Sequence, residues 1–236
     1  MTLNMQIEPG PFPPARGGNL GPGVLLKMNS NKQPYLQNSL LRLSYSLAAP
    51  VYDVIIKRAM REFRRQSLRA LPTDTSKRVL ISGAGTGLDL PLLPALHRYT
   101  ALDFNLSMLA HAIPRGKNMD VEFVLGDCMA LPFADAQFDH VVLHLIVAVV
   151  PKPERCLSEA ARVLKHGGTI IIFDKFLHPQ QRAPIRRLFN VFTRRFATRM
   201  DVVFEEVLAA APELQVVSDV PMLANGWFRG IVLRKP

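Results

Sequence analysis

The sequence contains very little cysteine and no long apolar run. Cys128 and Cys156 are its only cysteines, too few for a disulfide framework or a cysteine-rich metal site, so we expect no metal and a reducing, cytoplasmic setting. The longest apolar run, residues 141–150, contains His144 and ends before Pro151. Because a membrane-spanning helix needs about 20 apolar residues, this run instead predicts a buried parallel strand that continues into a loop.

Acidic residues are scarce, and one segment has none. The chain carries 29 Lys and Arg against 19 Asp and Glu, a formal net charge of +10. Residues 182–199 contain six arginines, no acid and interleaved apolar residues, which predicts a basic amphipathic helix. Such a helix can have one of three roles: it can face solvent with an apolar inner side, attach to an anionic membrane surface, or bind the phosphate group of a substrate. Nucleic acid is the least favoured partner, because the sequence has no recognition motif and no aromatic stacking block.

The chain divides into three parts by composition. Residues 1–33 are rich in Pro, Gly and Asn and lack the charged and apolar regions of a signal peptide, so we expect a disordered leader. The second part, residues 34–75, contains two predicted helices within residues 37–71, separated at Pro50. The second helix has an apolar side with cations on the rest of its surface. Residues 76–236 are enough for one α/β domain with a sizeable core.

Short apolar segments alternate with helical segments from residue 77 onward. We predict strands near residues 78–82, 98–103, 121–125, 138–143, 169–173, 214–220 and 227–234. This alternation predicts an α/β fold in which a mainly parallel, doubly wound sheet of seven strands has helices on both faces. The last two strands are close in sequence and are joined through Pro221 and Asn225-Gly226, so we expect an antiparallel hairpin.

A glycine-rich turn follows the first strand. Glycines stand at positions 83, 85 and 87, Asp103 ends the next strand, and we expect the turn to lead into a helix. Glycine lets the backbone approach a ligand closely, and a carboxylate at a strand end can accept hydrogen bonds from a ribose diol. Leu88 occupies the place of the third glycine of the dinucleotide fingerprint, and the Lys-Ser/Thr pair of a P-loop does not follow. The turn therefore predicts a nucleoside-type ligand other than a dinucleotide.

Four sequence blocks in this order resemble the class I S-adenosylmethionine (SAM)-dependent methyltransferases, in the branch of the ubiquinone and other small-molecule methyltransferases. The blocks are residues 79–89, 101–109, 126–139 and 159–173. More loosely, Tyr52-Asp53 and the basic segment near residues 180–200 are similar to bacterial phosphatidylethanolamine N-methyltransferases and thiol methyltransferase-like proteins. The resemblance implies a Rossmann-like methyltransferase fold, SAM as the cofactor, residues 34–75 as a helical lid and residues 76–236 as the SAM-binding domain.

The resemblance also implies a set of cofactor-binding residues. They are Gly83, Ala84, Gly85, Gly87, Asp103, Phe104, Asp127, Cys128, Met129 and His144. Asp103 is expected at the ribose and Asp127 at the adenine amino group, with Cys128 and Met129 beside the ring. The alternatives are structural, with Asp103 as a helix N-cap, Asp127 in an Asx-turn and Asp89 as an acid in the first turn of a helix.

Three residues are candidates for contact with the acceptor. His144 follows the strand at 138–143, where it can contact the cofactor or accept a proton, although a histidine in an apolar run is also typical of a core. Asp174 follows the strand at 169–173 in the same way, with Lys175 beside it. Tyr52 lies on a predicted helix that the family folds over SAM, or else only packs there. Methyl transfer from a sulfonium is an in-line displacement, so no dedicated acid or base is required.

One position departs from the family pattern. The family usually has Asp or Glu two residues before the first glycine, at the methionine end of SAM, and this chain has Ile81. Either other groups hold the SAM amino group or the affinity for SAM is reduced. We expect methyl transfer to a nitrogen, oxygen or sulfur atom of a small or amphipathic molecule, foremost a lipid amine such as phosphatidylethanolamine. The alternatives are a quinone or aromatic metabolite, including a thiol, and a non-catalytic SAM-binding protein.

Overall fold

Apolar segments of five to twelve residues form the main strands of one sheet in the computed structural model, which describes residues 60–177, 202–223 and 226–236 and the two-residue strand at 27–28. The strands are β1 (Lys27–Met28), β2 (Arg78–Ser82), β3 (Arg98–Asp103), β4 (Val121–Leu125), β5 (Phe138–His144), β6 (Leu164–Lys175), β7 (Gln215–Leu223) and β8 (Phe228–Arg234). The helices are α1 (described over residues 60–68), α2 (Leu106–Ala112), α3 (Pro153–Val163) and α4 (Phe204–Leu208).

The strand order is β1-β4-β3-β2-β5-β6-β8-β7. Strands β1 to β6 pair in parallel, whereas β8 is antiparallel to both β6 and β7, which confirms the predicted hairpin. The chain moves outward from β2 through β3 to β4 and then returns to β5 on the other side of β2. This reversal opens a crevice at the carboxyl ends of β2 and β5, which is where open α/β sheets bind ligands.

The core has two layers because the central strands are buried on both faces. Successive side chains of a strand point to opposite faces of a sheet. In β2, Leu80 packs with α3 residues such as Leu157, and Ile81 packs on the other face with Leu68 of α1 and Leu109 of α2. The structure therefore confirms the predicted mainly parallel, doubly wound sheet with helices on both faces.

The segment after the glycine-rich turn is not the helix that we predicted. Between β2 and β3 it forms only a short 3-10 turn, Leu90–Leu92. Pro91 lies at the start of that turn and Pro94 follows its end. Pro91 is tolerated in a first helical turn, where a backbone N–H has no partner, but a proline also drives the residue before it to extended backbone. Leu93, which precedes Pro94, has φ −80° and ψ 145°, so Pro94 ends the turn before it can lengthen into an α-helix.

The N-terminal parts of the chain are described only in places. Lys27 and Met28 of β1, inside the predicted disordered leader, pair with the outer edge of β4 at Val124 and Leu125. Without β1, the backbone groups at this edge would have no strand to pair with. Residues 34–59 of the predicted lid lie outside the described residues. Helix α1 buries Met60, Arg64, Ser67 and Leu68, whereas Arg61, Arg65 and Arg69 are exposed. Among the helices described, none has the length and apolar character to cross a membrane.

Candidate functional site

Four predicted site segments meet at the carboxyl edge of the sheet. The glycine-rich turn follows β2, Asp103 ends β3, Asp127 follows β4 and His144 ends β5. Parallel strands bring these ends together because they all point the same way. Tyr52 and the segment 182–199 lie outside the described residues, so their predicted roles have no structural description.

The first two glycines of the turn have different surroundings. Gly83 has φ +78° and Gly85 has φ +55°, in the left-handed region that favours glycine. A Cβ atom added at Gly83 would lie 2.5 Å from Cγ1 of Ile146, whereas one added at Gly85 would meet no atom of the described residues within 4 Å. Gly83 is therefore required by packing, and the space beside Gly85 is open to a ligand.

Asp103 fastens the glycine-rich turn to the end of β3. The backbone N–H of Gly85 donates to its Oδ2 at 2.7 Å, and the N–H of Asn105 donates to its Oδ1 at 2.9 Å. The side chain is buried, and burial raises the pKa of Asp103 to about 6 although these hydrogen bonds oppose the rise. The helix N-cap is Asn105, whose side chain accepts from the N–H of Ser107 at 2.9 Å, so Asp103 is not the cap.

The residues after β4 form a compact turn. Asp127 Oδ1 accepts the N–H of Met129 at 2.8 Å, which is the Asx-turn geometry considered for this residue. Cys128 and Met129 are both buried, and Cys128 is hydrogen-bonded to the thiol of Cys156, which raises the pKa of Cys128 together with its burial. Phe104 beside Asp103 is 38% exposed, an apolar ring that a bound planar group can cover.

A buried polar network joins helix α1 to the site. Arg64 Nη1 donates to Asp89 Oδ1 at 2.8 Å, and His144 Nδ1 lies 2.9 Å from the same oxygen. His144 Nε2 lies 3.2 Å from Ser67 Oγ on α1. Burial acts to raise the pKa of Asp89, but the charges and hydrogen bonds of Arg64 and His144 hold it well below its usual range. Asp89 is therefore a buried carboxylate, so His144 donates to it from Nδ1.

This network corrects the interpretation of Asp89 as an acid in the first turn of a helix. Asp89 precedes the 3-10 turn but makes no side-chain capping hydrogen bond there. Sequence reasoning missed Arg64 and Ser67 as partners of the site. One signal was available, since Arg64 is spaced by four residues from Met60 and Leu68 on the apolar side of α1, an unusual position for a cation without a partner.

Asp174 contacts the loop that follows β5. Its Oδ2 accepts the N–H of Ala148 at 3.0 Å, and its Oδ1 accepts the N–H of Lys175 at 2.8 Å. Burial raises the pKa of Asp174 to about 6. The loop begins with Leu145 at φ +56°, a strained conformation for a side chain other than glycine. These contacts give Asp174 a positioning role for the loop, and its contact with an acceptor stays a prediction.

The chain is similar to methyltransferases along most of its described length. Residues 80–172 match the methyltransferase domain family. A phosphatidylethanolamine N-methyltransferase from Cereibacter sphaeroides is 38% identical over 156 residues, which cover 64% of this chain and 76% of that protein. A demethylmenaquinone methyltransferase from Renibacterium salmoninarum is 35% identical over 152 residues, which cover 62% of each chain.

Solved structures share the fold at lower sequence identity. A SAM-dependent methyltransferase from Thermotoga maritima superposes with a TM-score of 0.60 and 22% identity, over 82% of this chain and 99% of that chain. A chain of the complex between the Haloferax volcanii Trm112 methyltransferase activator and a methyltransferase gives a TM-score of 0.67 and 19% identity, over 81% of this chain and 97% of that chain. These superpositions show that the chain shares their overall fold.

Proposed function

This chain belongs to the class I SAM-dependent methyltransferases, and we propose that it methylates a nitrogen, oxygen or sulfur atom of a small or amphipathic acceptor, foremost the amine of a lipid such as phosphatidylethanolamine. It is an enzyme, and its cofactor is SAM. The observation that carries the proposal is the similarity to a phosphatidylethanolamine N-methyltransferase over three quarters of that protein's length, at 38% identity. The arginine-rich segment 182–199 adds support, because arginine pairs well with phosphate.

The described residues fit SAM at the switch point of the sheet. The described residues leave space beside Gly85 for a ligand, and the buried Asp103 carboxylate at the end of β3 is proposed to accept hydrogen bonds from the ribose diol. Phe104 offers an exposed ring for the adenine, and Asp127 and Met129 border the same edge. When bound, SAM supplies the electrophilic methyl group. The protein positions the acceptor and excludes water, and residues 34–75 are proposed to serve as the lid, because α1 reaches Asp89 and His144.

A quinone or aromatic acceptor is the second candidate, and an aromatic cluster favours it. Phe63 of α1 stacks on Phe173 of β6, with ring centroids 6.4 Å apart. The ring centroid of Phe228, the first residue of β8, lies 5.8 Å from that of Phe173. Trp227 lies 5.6 Å from Phe228. Because β8 begins where β6 ends, these rings lie at the same edge as the site, and the partly exposed ones can pack against a flat acceptor. The relatives named demethylmenaquinone methyltransferase support the same candidate.

Transfer of a tritium-labelled methyl group from SAM tests the proposal. The acceptors are phosphatidylethanolamine vesicles, a demethylated quinone and a small aromatic thiol, each assayed with the wild type and with Asp103→Ala as the negative control. Label in the vesicle lipid supports the lipid amine, and label in the quinone or thiol alone supports the second candidate. Binding of S-adenosylhomocysteine (SAH) without transfer to any acceptor would instead favour the non-catalytic SAM-binding protein.

Two glycine substitutions are expected to separate folding from binding. Gly83→Ala should lower the free energy of unfolding by about 2–5 kcal/mol, because left-handed strain and overpacking against Ile146 add together. Gly85→Ala should cost only the strain, about 1–2 kcal/mol, but its methyl group enters the open space and should weaken SAH binding. Urea unfolding and calorimetry with SAH measure the two effects. Equal losses of stability in both variants would contradict the assignment.

SAH affinity is expected to fall at acidic pH. Ribose hydroxyls donate to the ionised carboxylate, so SAH binding and protonation of Asp103 compete. Because the pKa of Asp103 is raised to about 6, affinity should be level above about pH 7 and fall by up to about tenfold per pH unit below about pH 6. Calorimetry between these limits measures the effect, with Asp103→Asn expected to bind weakly and without this dependence. Wild-type affinity that stays constant down to about pH 5 would refute the ribose role.

A further inference from the structure

The buried network at Asp89 lies where the amino-acid end of SAM must go. With Asp103 at the ribose and Asp127 at the adenine, the nucleoside covers the ends of β3 and β4. The amino-acid end then extends across the glycine-rich turn, toward the end of β5. His144 ends β5, and Asp89 contacts it.

That end of SAM carries an ammonium group, which requires an acceptor when water is excluded. Ile81 cannot serve, because it is an apolar residue, 2% exposed and packed with Leu68 and Leu109 in the core. Asp174 is near the end of β6, which lies one strand farther than β5 from the ends of β3 and β4, and its carboxylate holds the loop after β5 through the N–H of Ala148.

Asp89 has an oxygen to offer. Both described donors, Arg64 and His144, reach its Oδ1. No described residue donates a hydrogen bond to the other oxygen, Oδ2, although the side chain is only 5% exposed. A buried ion pair adds little to stability by itself, so stability alone does not account for this arrangement. A carboxylate that has one oxygen without a donor is better suited to binding a ligand.

We propose that Asp89 accepts the ammonium group of SAM through Oδ2, in place of the acid that is missing at Ile81, and that Arg64 and His144 position its carboxylate. This inference rests on SAM as the cofactor. Asp89 takes part in binding, whereas Arg64 and His144 act through it. Because Arg64 and Ser67 belong to α1, the same contacts link the ammonium site to the proposed lid.

The test removes the charge from the protein and from the ligand separately. Calorimetry compares the wild type with Asp89→Asn, which is nearly isosteric, for three ligands: SAH, its analogue without the amino group, and 5′-methylthioadenosine, which lacks the whole amino-acid end. Asp89→Asn is expected to weaken SAH by about 10- to 100-fold, the value of a hydrogen bond to a charged group, and to leave the other two unchanged. On the wild type, the deaminated analogue should bind more weakly than SAH by the same factor.

The ligand-side comparison uses only the wild type, so it stands even when Asp89→Asn does not fold. Asp103→Ala is the matched control and should weaken all three ligands alike, because all contain the ribose. Equal weakening of SAH and methylthioadenosine by Asp89→Asn would overturn the proposal, and so would unchanged SAH binding. If the wild type binds none of the three ligands, the cofactor assignment itself fails.

Discussion

Asp103→Ala is expected to weaken the binding of SAH by at least a hundredfold. The ribose diol can donate two hydrogen bonds to this carboxylate, and each bond to a charged group contributes about 1.5–3 kcal/mol. Their loss amounts to about 3–6 kcal/mol, and each 1.4 kcal/mol is about tenfold in affinity. The alanine also removes the acceptor of the Gly85 N–H, so the turn loses its link to β3. Isothermal titration calorimetry with SAH measures the change.

A carboxylate at the opposite edge of the sheet provides the control. Asp139 accepts the N–H of Arg78 at 2.9 Å and a hydrogen bond from Lys165 Nζ at 2.8 Å, near the amino end of β5. Asp139→Ala removes the same charge and should leave SAH affinity unchanged. Asp103→Asn keeps an oxygen for the Gly85 N–H and should fall between the wild type and alanine. SAH affinity in Asp103→Ala equal to that of the wild type would exclude the ribose role.

The strands could be predicted because parallel strands leave a clear local signal. A strand buried on both faces is a short apolar run, and its polar carboxyl end marks the edge of the sheet. The predicted strands at 78–82, 98–103 and 121–125 coincide with β2, β3 and β4. The strand predicted at 169–173 is longer, Leu164–Lys175, because Gly167 at φ +76° lets the chain bend and Leu164 pair with Phe138.

The prediction of a helix after the glycine-rich turn was wrong. The expectation came from the usual order of strand, turn and helix, and it neglected local chemistry. Pro94 was visible in the sequence; it removes a backbone donor that a longer α-helix requires and holds Leu93 in extended backbone. Here the proline was a local signal in the sequence, and its effect on the backbone outweighs the usual order of strand, turn and helix.

The network around Asp89 could not be derived from local sequence. Arg64 lies 25 residues before Asp89 and His144 lies 55 residues after it. Their contact depends on how α1, the turn and β5 pack together, which no periodicity specifies. The sequence located His144 at the end of a strand as a contact for the cofactor or acceptor, but its contacts with Asp89 and Ser67 required the tertiary structure.

Reversing Arg186, Arg187, Arg194 and Arg195 to glutamate is expected to weaken binding to anionic vesicles by about a thousandfold at low salt. The segment 182–199 lies outside the described residues, so this expectation rests on six arginines without an acid and on the apolar residues between them. Each cation near an anionic bilayer contributes about 1 kcal/mol, and four lost cations amount to about 4 kcal/mol. Because salt screens the attraction, the difference should shrink as ionic strength rises. Vesicle co-sedimentation measures it.

A second set of arginines distinguishes this segment from net charge alone. Arg61 and Arg65 are exposed on α1 and Arg69 is exposed directly after it, and the reversal of these three to glutamate changes the charge of another surface. If the segment makes the contact, this control should keep most of the vesicle binding, and both variants should keep wild-type SAH affinity because neither set lies in the cofactor turn. Equal losses in both variants would assign the binding to net charge. A wild type that does not bind anionic vesicles would remove the support that this segment gives to a lipid amine. A soluble aromatic or thiol acceptor would then be favoured, because the cofactor site and the aromatic cluster do not depend on a membrane.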